Sequence, residues 1–245
     1  MDDWPGRMAS ERALSEGFAR DLLEHGFVVI PGPVRPAEMP RLADAYDAAV
    51  AAAAPEDVSI GRTTTRVHDL VNRGPAFDRL YVYPPVLEAC VRTIGRPFKL
   101  GSLLARTLRP GAPSQALHVD FPGDGDGWPM VGFILMVDAF RPDNGATRFV
   151  PGSHRRPATQ GGAGCGLQAD HEGQVLACGP AGSVIVYNGS VWHGHAANRS
   201  SERRRSIQGA YIRRDAKPTV DLAGRMRPET YSRLGPVARY LLELT

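Results

Sequence analysis

The stretch GSVIVYNGSVWHG, Gly182 to Gly194, holds an apolar run of strand length, Ser183 to Tyr187, then the turn residues Asn188-Gly189, then a histidine. An apolar run this short, rich in β-branched residues and closed by a turn pair, reads as a buried strand rather than a helix. The same texture recurs on both sides of it. Leu100 to Leu108, Met130 to Val137, Arg148 to Val150, Gln174 to Ala177 and Arg204 to Ile212 are further strand candidates, punctuated by Gly, Pro and Asn. Strands at such spacing, with no helical segments between them, predict an all-β sandwich or barrel rather than parallel βαβ units. Upstream, helices are predicted over Ser15 to His25, Pro36 to about Ala54 and Pro85 to Ile94, with one short strand, Phe27 to Ile30, stopped by Pro31-Gly32-Pro33. A helical tail, Glu229 to Leu244, is interrupted at Gly235-Pro236. The chain therefore reads as one domain over 1–245: a mostly helical part over 1–99, a β core over 100–215 and a helical tail over 216–245.

The 245 residues are 42% apolar and 22% charged, the composition of an ordinary globular protein. A net charge of +3, with arginines dispersed along the chain, lacks the basic face of a nucleic-acid binder. No apolar run approaches the roughly 20 residues that span a bilayer, and the opening MDDWPGRMASER has no apolar signal core, so a cytoplasmic location is expected. Cys90, Cys165 and Cys178 form no C-x-x-C pair and are expected to be reduced. Gly161 to Gly166 reads as a flexible loop.

Chemistry enters with SQALHVDFPGD, Ser114 to Asp124. His118 and Asp120 stand two residues apart, so on an extended strand both side chains leave the same face and can converge on one ion. His193, after the strand that ends at Tyr187, supplies a second imidazole. Two histidines and a carboxylate make the facial triad that suits non-haem Fe(II) and leaves positions open for other ligands. Catalytic zinc with three ligands fits the same set, whereas a structural zinc site lacks its fourth ligand. Arg204 follows His193 on the last strand candidate, and strand alternation puts Arg204, Ser206 and Gln208 on one face, with Arg203 and Arg205 on a solvated edge. A guanidinium beside an open metal site offers a planar fork for the far carboxylate of a dicarboxylic co-substrate, and Ser206 can add a hydroxyl. His154 has no partner at metal-ligand spacing. Asp124 to Gly127, DGDG, puts Trp128 where a calcium loop needs an oxygen and is read as a turn.

The segments PGAPSQALHVDF, NGATRFVPGSHR and HGHAANRSSERRRSI, supported by HGFVVIPG and GRTTTRVHDLVNRG, resemble the phytanoyl-CoA dioxygenase (PhyH)-like family of Fe(II)/2-oxoglutarate-dependent oxygenases. The resemblance implies a mainly β protein with flanking helices around a double-stranded β-helix, the cupin-like jelly roll. It implies Fe(II) held by His118, Asp120 and His193, 2-oxoglutarate held by Arg204 with Gln115 beside it, and O2 as oxidant. It places the metal ligand at His193 rather than at His195, which is expected to line the pocket, and makes Asn144-Gly145 a turn and Pro151 to His154 a strand end. Thr147 departs from the aliphatic residue usual in the family. The intact Asp120 implies hydroxylation, desaturation or ring formation rather than halogenation, with hydroxylation the leading expectation and succinate and CO2 as co-products. Arg66, His68, Phe121, Trp128 and Trp192 are the expected substrate contacts. The substrate is expected to be a small organic molecule, with a natural-product intermediate suggested by the GC-rich residue bias, which leaves Lys99 and Lys217 the sole lysines. The protein itself is expected as a monomer or homodimer. Two rivals share the triad: a cupin-type isomerase or hydrolase without 2-oxoglutarate, and a non-catalytic ligand-binding relative.

Overall fold

Strand alternation organises the molecule. In the computed structural model, which describes residues 13–156 and 170–244, ten strands form two antiparallel sheets. The strands are β1 (Phe27–Pro31), β2 (Val58–Ile60), β3 (Thr64–Val67), β4 (Phe98–Leu108), β5 (Met130–Met136), β6 (Thr147–Phe149), β7 (Val175–Ala177), β8 (Ser183–Asn188), β9 (His193–His195) and β10 (Arg204–Arg213). The larger sheet runs β1-β8-β5-β10-β4-β3-β2 and the smaller β7-β6-β9. The smaller sheet gains a fourth lane where His118 and His193 exchange backbone hydrogen bonds, each N–H donating to the other's carbonyl at 3.0 Å. This is the all-β core that strand spacing predicted, in the jelly-roll form that the family resemblance implied.

Side chains on the large sheet divide by parity. Val28, Val131, Phe133, Leu135, Val184, Val186, Ile207 and Tyr211 face outward and join one buried cluster with the helices. Those are α1 (Glu16–His25), α2 (Met39–Ala51), α3 (Pro84–Ile94), α4 (Pro228–Arg233) and α5 (Pro236–Leu241). The opposite parity, including Ile134, Met136, Ile185 and Tyr187, faces inward and meets Phe149 and Phe140 between the sheets. One face thus carries the helical layer while the other is free to build a site.

Local chemistry sets the helix ends. Ser15 caps α1 by accepting from the Phe18 amide, and Gly26, at φ 84°, closes it in the left-handed region. The tail breaks at Gly235-Pro236 as expected, because proline begins the second piece. The described residues up to 99 carry short strands beside their helices. β1 sits at one end of the large sheet, while β2 and β3 sit at the other, paired through β3 to β4. The polar Thr64-Thr-Arg-Val67 lacks the apolar run that marks a strand; its pairing with β4 makes it one. DGDG is a turn, with the Asp124 carboxylate tied to Arg213 at 2.6 Å. The edge reading of the arginine cluster holds for exposed Arg203 only. Arg205 is largely covered and pairs with both Asp138 and Asp47. Cys90 is buried and Cys178 exposed, both free; the N-terminal dozen residues, Cys165 and the Gly161 to Gly166 loop lie outside the described residues.

Candidate active site

The inward face opens on a cavity of about 350 Å³, and the three expected ligands meet on its wall. The ligand atoms of His118, Asp120 and His193 all lie within 4.8 Å of one another. Asp120 Oδ1 is 3.6 Å from His118 Nε2, and Oδ2 is 3.5 Å from His193 Nε2. The backbone imposes this meeting. β9 carries His193, the paired lane carries His118, and the amides of Asp120 and Phe121 both donate to the Gly189 carbonyl in the turn after β8. Gly194 lets the lanes approach, since a Cβ there would lie 3.0 Å from the Gln115 carbonyl oxygen.

The tautomers follow from the hydrogen bonds. A carbonyl can only accept, so His118 Nδ1 donates to Ala116 O at 3.1 Å and His193 Nδ1 donates to Val191 O at 3.0 Å. In the neutral rings both Nε2 lone pairs then aim at the Asp120 carboxylate. Two lone pairs and a carboxylate converging without a proton between them repel one another, and a cation relieves that repulsion. The donor set, two imidazole nitrogens and one carboxylate with each His fixed from behind, therefore fits a divalent metal such as Fe(II). Desolvation first, and then the charge of His193, push His118 down to about 4, which keeps it neutral at physiological pH. Desolvation would raise Asp120, but the imidazole of His193 and the hydroxyl of Tyr187 hold its carboxyl below the usual carboxylate range.

Tyr187 was not anticipated. Its buried hydroxyl donates to Asp120 Oδ2 at 2.7 Å, and its ring stands against His193 with centroids 4.9 Å apart. Gly132, its partner on β5, makes room, because a Cβ there would lie 2.2 Å from the tyrosine ring. Tyr187→Phe is expected to weaken Fe(II) binding 10–100-fold, the usual cost of losing an outer-shell partner, with little change in melting temperature. Gly132→Ala, which pushes the ring aside, should give the same metal defect. Metal titration of both variants checks this, and wild-type affinity in Tyr187→Phe would remove Tyr187 from the site.

Arg204 lies deeper in the cavity. It is 1% exposed, stacks 4.0 Å from the Phe140 ring centroid, and leaves Nε and Nη1 without a hydrogen-bond partner. Burial first, then the like charge of Arg106, press its pKa down to about 9, still cationic near neutral pH. A buried, unpaired guanidinium is costly unless an anion completes it. Gln115 links His118 to Arg106: its Nε2 is 3.5 Å from His118 Nε2, and its Oε1 accepts from Arg106 Nη2 at 3.0 Å. Ser206 shares the inward face of Arg204, but its hydroxyl donates to the Arg106 carbonyl at 3.2 Å and does not line the cavity. Thr147, paired with His195 across β6 and β9, does line it. His195 accepts from the Thr63 hydroxyl through Nε2, at 3.1 Å, while its Nδ1 donates to Ala196 O, and so faces the cavity away from the triad.

Of the expected substrate contacts, Arg66, His68 and Phe121 line the cavity. Trp128 and Trp192 do not. Trp192 sits beside His193 on an extended segment and therefore points to the other face, where it packs with Leu117 and Val150. Trp128 packs at a tilt against His154 and donates to the carbonyl of that residue. His154 is bound to Leu23 O and takes no part in the site. Arg106, Tyr187 and Lys217 escaped sequence reading, whereas Gln208, expected on the face of Arg204, does line the cavity. For Arg106 a signal existed: it is the one charge between Leu100 and Leu108, in phase with Ser102 and Leu104.

A model of the family described as phytanoyl-CoA dioxygenase (PhyH) matches residues 22–206. The chain belongs to that family. Among curated relatives, the dioxygenase cdmA of Talaromyces verruculosus is 31% identical over 166 residues, 61% of this chain and 53% of that one. The multifunctional dioxygenase prhA of Penicillium brasilianum is 30% identical over 214 residues, 80% of this chain and 71% of that one. The chain thus spans about half the length of the first and somewhat over two thirds of the second. Among solved structures, the non-heme alpha ketoglutarate dependent carbocyclase SnoK from nogalamycin biosynthesis superposes with a TM-score of 0.69 at 20% identity, covering 91% of this chain and 92% of that one. This PhyH chain is a dioxygenase, and its fold is that of the 2-oxoglutarate-dependent enzymes. Among its described residues no helix is long and apolar enough to cross a membrane.

Proposed function

We propose that this PhyH protein is an Fe(II)- and 2-oxoglutarate-dependent oxygenase that hydroxylates a small organic molecule, an intermediate of natural-product biosynthesis. The reading is carried by one observation: an open His118–Asp120–His193 triad shares a cavity with Arg204, a buried arginine whose Nε and Nη1 have no partner. A cupin-type isomerase or hydrolase has no use for that arginine.

When bound, iron with 2-oxoglutarate and O2 supplies the oxidising power for C–H hydroxylation, and succinate and CO2 leave. The chain supplies position and charge. His118, Asp120 and His193 hold the metal on one side, and Tyr187 fixes the carboxylate that completes the set. Arg204 holds the far carboxylate of the co-substrate, with Thr147 and Gln115 offering polar contacts along its length. Phe140 beneath the guanidinium and the surrounding apolar wall exclude water, which strengthens that ion pair. Phe121, Arg66 and His68 line the space left for substrate. The natural-product assignment rests on the resemblance to the fungal dioxygenases and the nogalamycin enzyme.

The test is anaerobic titration of the apo-protein with Fe(II) and 2-oxoglutarate, following the weak visible charge-transfer band of the chelate. The band is expected in wild type and should vanish in His118→Ala. A wild-type protein that binds the metal yet shows no band sinks the co-substrate assignment.

A further inference from the structure

The cavity holds more positive charge than the metal and co-substrate account for. Arg66, Arg106, Arg204 and Lys217 line it, and Asp120 is the only acid among the described residues that do. A metal dication and a co-substrate dianion cancel, and Arg204 offsets Asp120. Arg66, Arg106 and Lys217 remain without a counter-ion.

Their surroundings offer none. Arg66 and Arg106 are direct partners across β3 and β4, a like-charge juxtaposition that costs stability. Arg106 finds only neutral acceptors, Gln115 Oε1 at 3.0 Å and Gln208 Oε1 at 3.4 Å, and its Nε has none. Burial and the charge of Arg66 lower its pKa to about 10. The Arg66 side chain has no hydrogen bond or ion pair among the described residues, nor does that of Lys217, which comes from the segment after β10. Several arginines elsewhere do have acidic partners: Arg73 and Arg225 share Asp57, Arg205 has two acids, and Arg213 and Arg233 each have one within 2.7 Å. Exposed arginines such as Arg20, Arg41 and Arg62 also lack an acidic partner, but water solvates them, whereas Arg66 and Arg106 are half covered in the cavity and Arg204 is buried there.

Resting on the co-substrate reading above, we propose that the primary substrate is an anion whose carboxylate is received by Arg66 and Arg106, with Lys217 drawing it in. Guanidinium groups side by side favour a planar carboxylate, which takes parallel N–H···O bonds. The carboxylate enters beside Arg66, while the co-substrate keeps Arg204. The rest of the substrate then lies against the apolar part of the wall, which includes Leu104, Phe121, Met130 and Ile134.

Matched probes test this without turnover. Phenylacetate and octanoate, each against its primary amide, are titrated calorimetrically into the Fe(II)-loaded protein under argon at low salt with saturating 2-oxoglutarate. The carboxylates are expected to bind at least ten-fold tighter than the amides. That preference should fall below three-fold in Arg66→Gln and drop measurably in Lys217→Gln, an exposed position without a packing role, while 2-oxoglutarate affinity stays within two-fold. Equal binding of acid and amide by wild type overturns the proposal, as does an Arg66→Gln variant that loses 2-oxoglutarate affinity and keeps the preference. A charge-transfer band without the preference condemns the anion assignment alone; the preference without a band condemns the co-substrate reading alone.

Discussion

His193→Ala is expected to lower Fe(II) affinity by on the order of a thousand-fold or more, beyond the 10–100-fold typical of an outer-shell loss. The imidazole is held from every side: Nδ1 on the Val191 carbonyl, and ring contacts to His118, Tyr187 and Phe149 at centroid distances of 4.4, 4.9 and 5.7 Å. No neighbouring side chain can swing into its place. His195, the nearest alternative in sequence, is engaged by Thr63 and the Ala196 carbonyl. Because β9 pairs through its backbone, the variant should still melt cooperatively, and exogenous imidazole should restore part of the metal binding. Equilibrium competition against a chelator measures the loss. Affinity within five-fold of wild type would exclude His193 as a ligand.

Arg204→Leu is expected to move two quantities in opposite directions. Co-substrate affinity should fall by roughly 30- to 3,000-fold, the cost of about 2–5 kcal/mol for truncating one partner of a buried charge pair. The apo-protein should become more stable, by about 1–2 kcal/mol, because an unpaired buried cation gives way to an apolar side chain that needs no counter-ion. For a domain of this size that is a rise of about 2–8 °C in melting temperature. Saturating Fe(II) and 2-oxoglutarate should reverse the order, since ligand binding stabilises only the protein that binds it. Thermal melts with and without ligands decide it; an apo variant that melts lower than wild type, with unchanged co-substrate affinity, would make Arg204 a structural residue.

Much of this arrangement was legible in the residues. Strands β4, β5 and β8 appear within a residue or two of their observed ends because each is a mainly apolar run bounded by turn residues, and the more polar β10 appears within one residue. The triad was legible because His118 and Asp120 share parity and a single downstream histidine sits at the right distance from an arginine. What escaped depends on pairing between segments far apart. β3 and β9 are polar and short, so only their neighbours make them strands. Tyr187 reaches Asp120 because β8 lies beside a glycine of β5, a fact of register rather than of sequence spacing. Two errors were avoidable. Trp192 was placed by its adjacency to a ligand, yet adjacency on an extended segment means the opposite face. Ser206 was placed on the right face, but the Arg106 carbonyl on the neighbouring strand takes its hydroxyl.

The reciprocal backbone bonds between His118 and His193 have a consequence in time as well as in space. The two segments are remote in sequence and meet only when the smaller sheet has closed on its fourth lane. Topologies built from such distant pairings fold slowly, in milliseconds to seconds, because loop closure precedes the contacts that reward it. A nascent chain therefore has no high-affinity place for iron until that closure is complete. Metal capture is a late event in the life of this protein, and a partly folded chain is spared redox chemistry at an exposed, half-assembled centre.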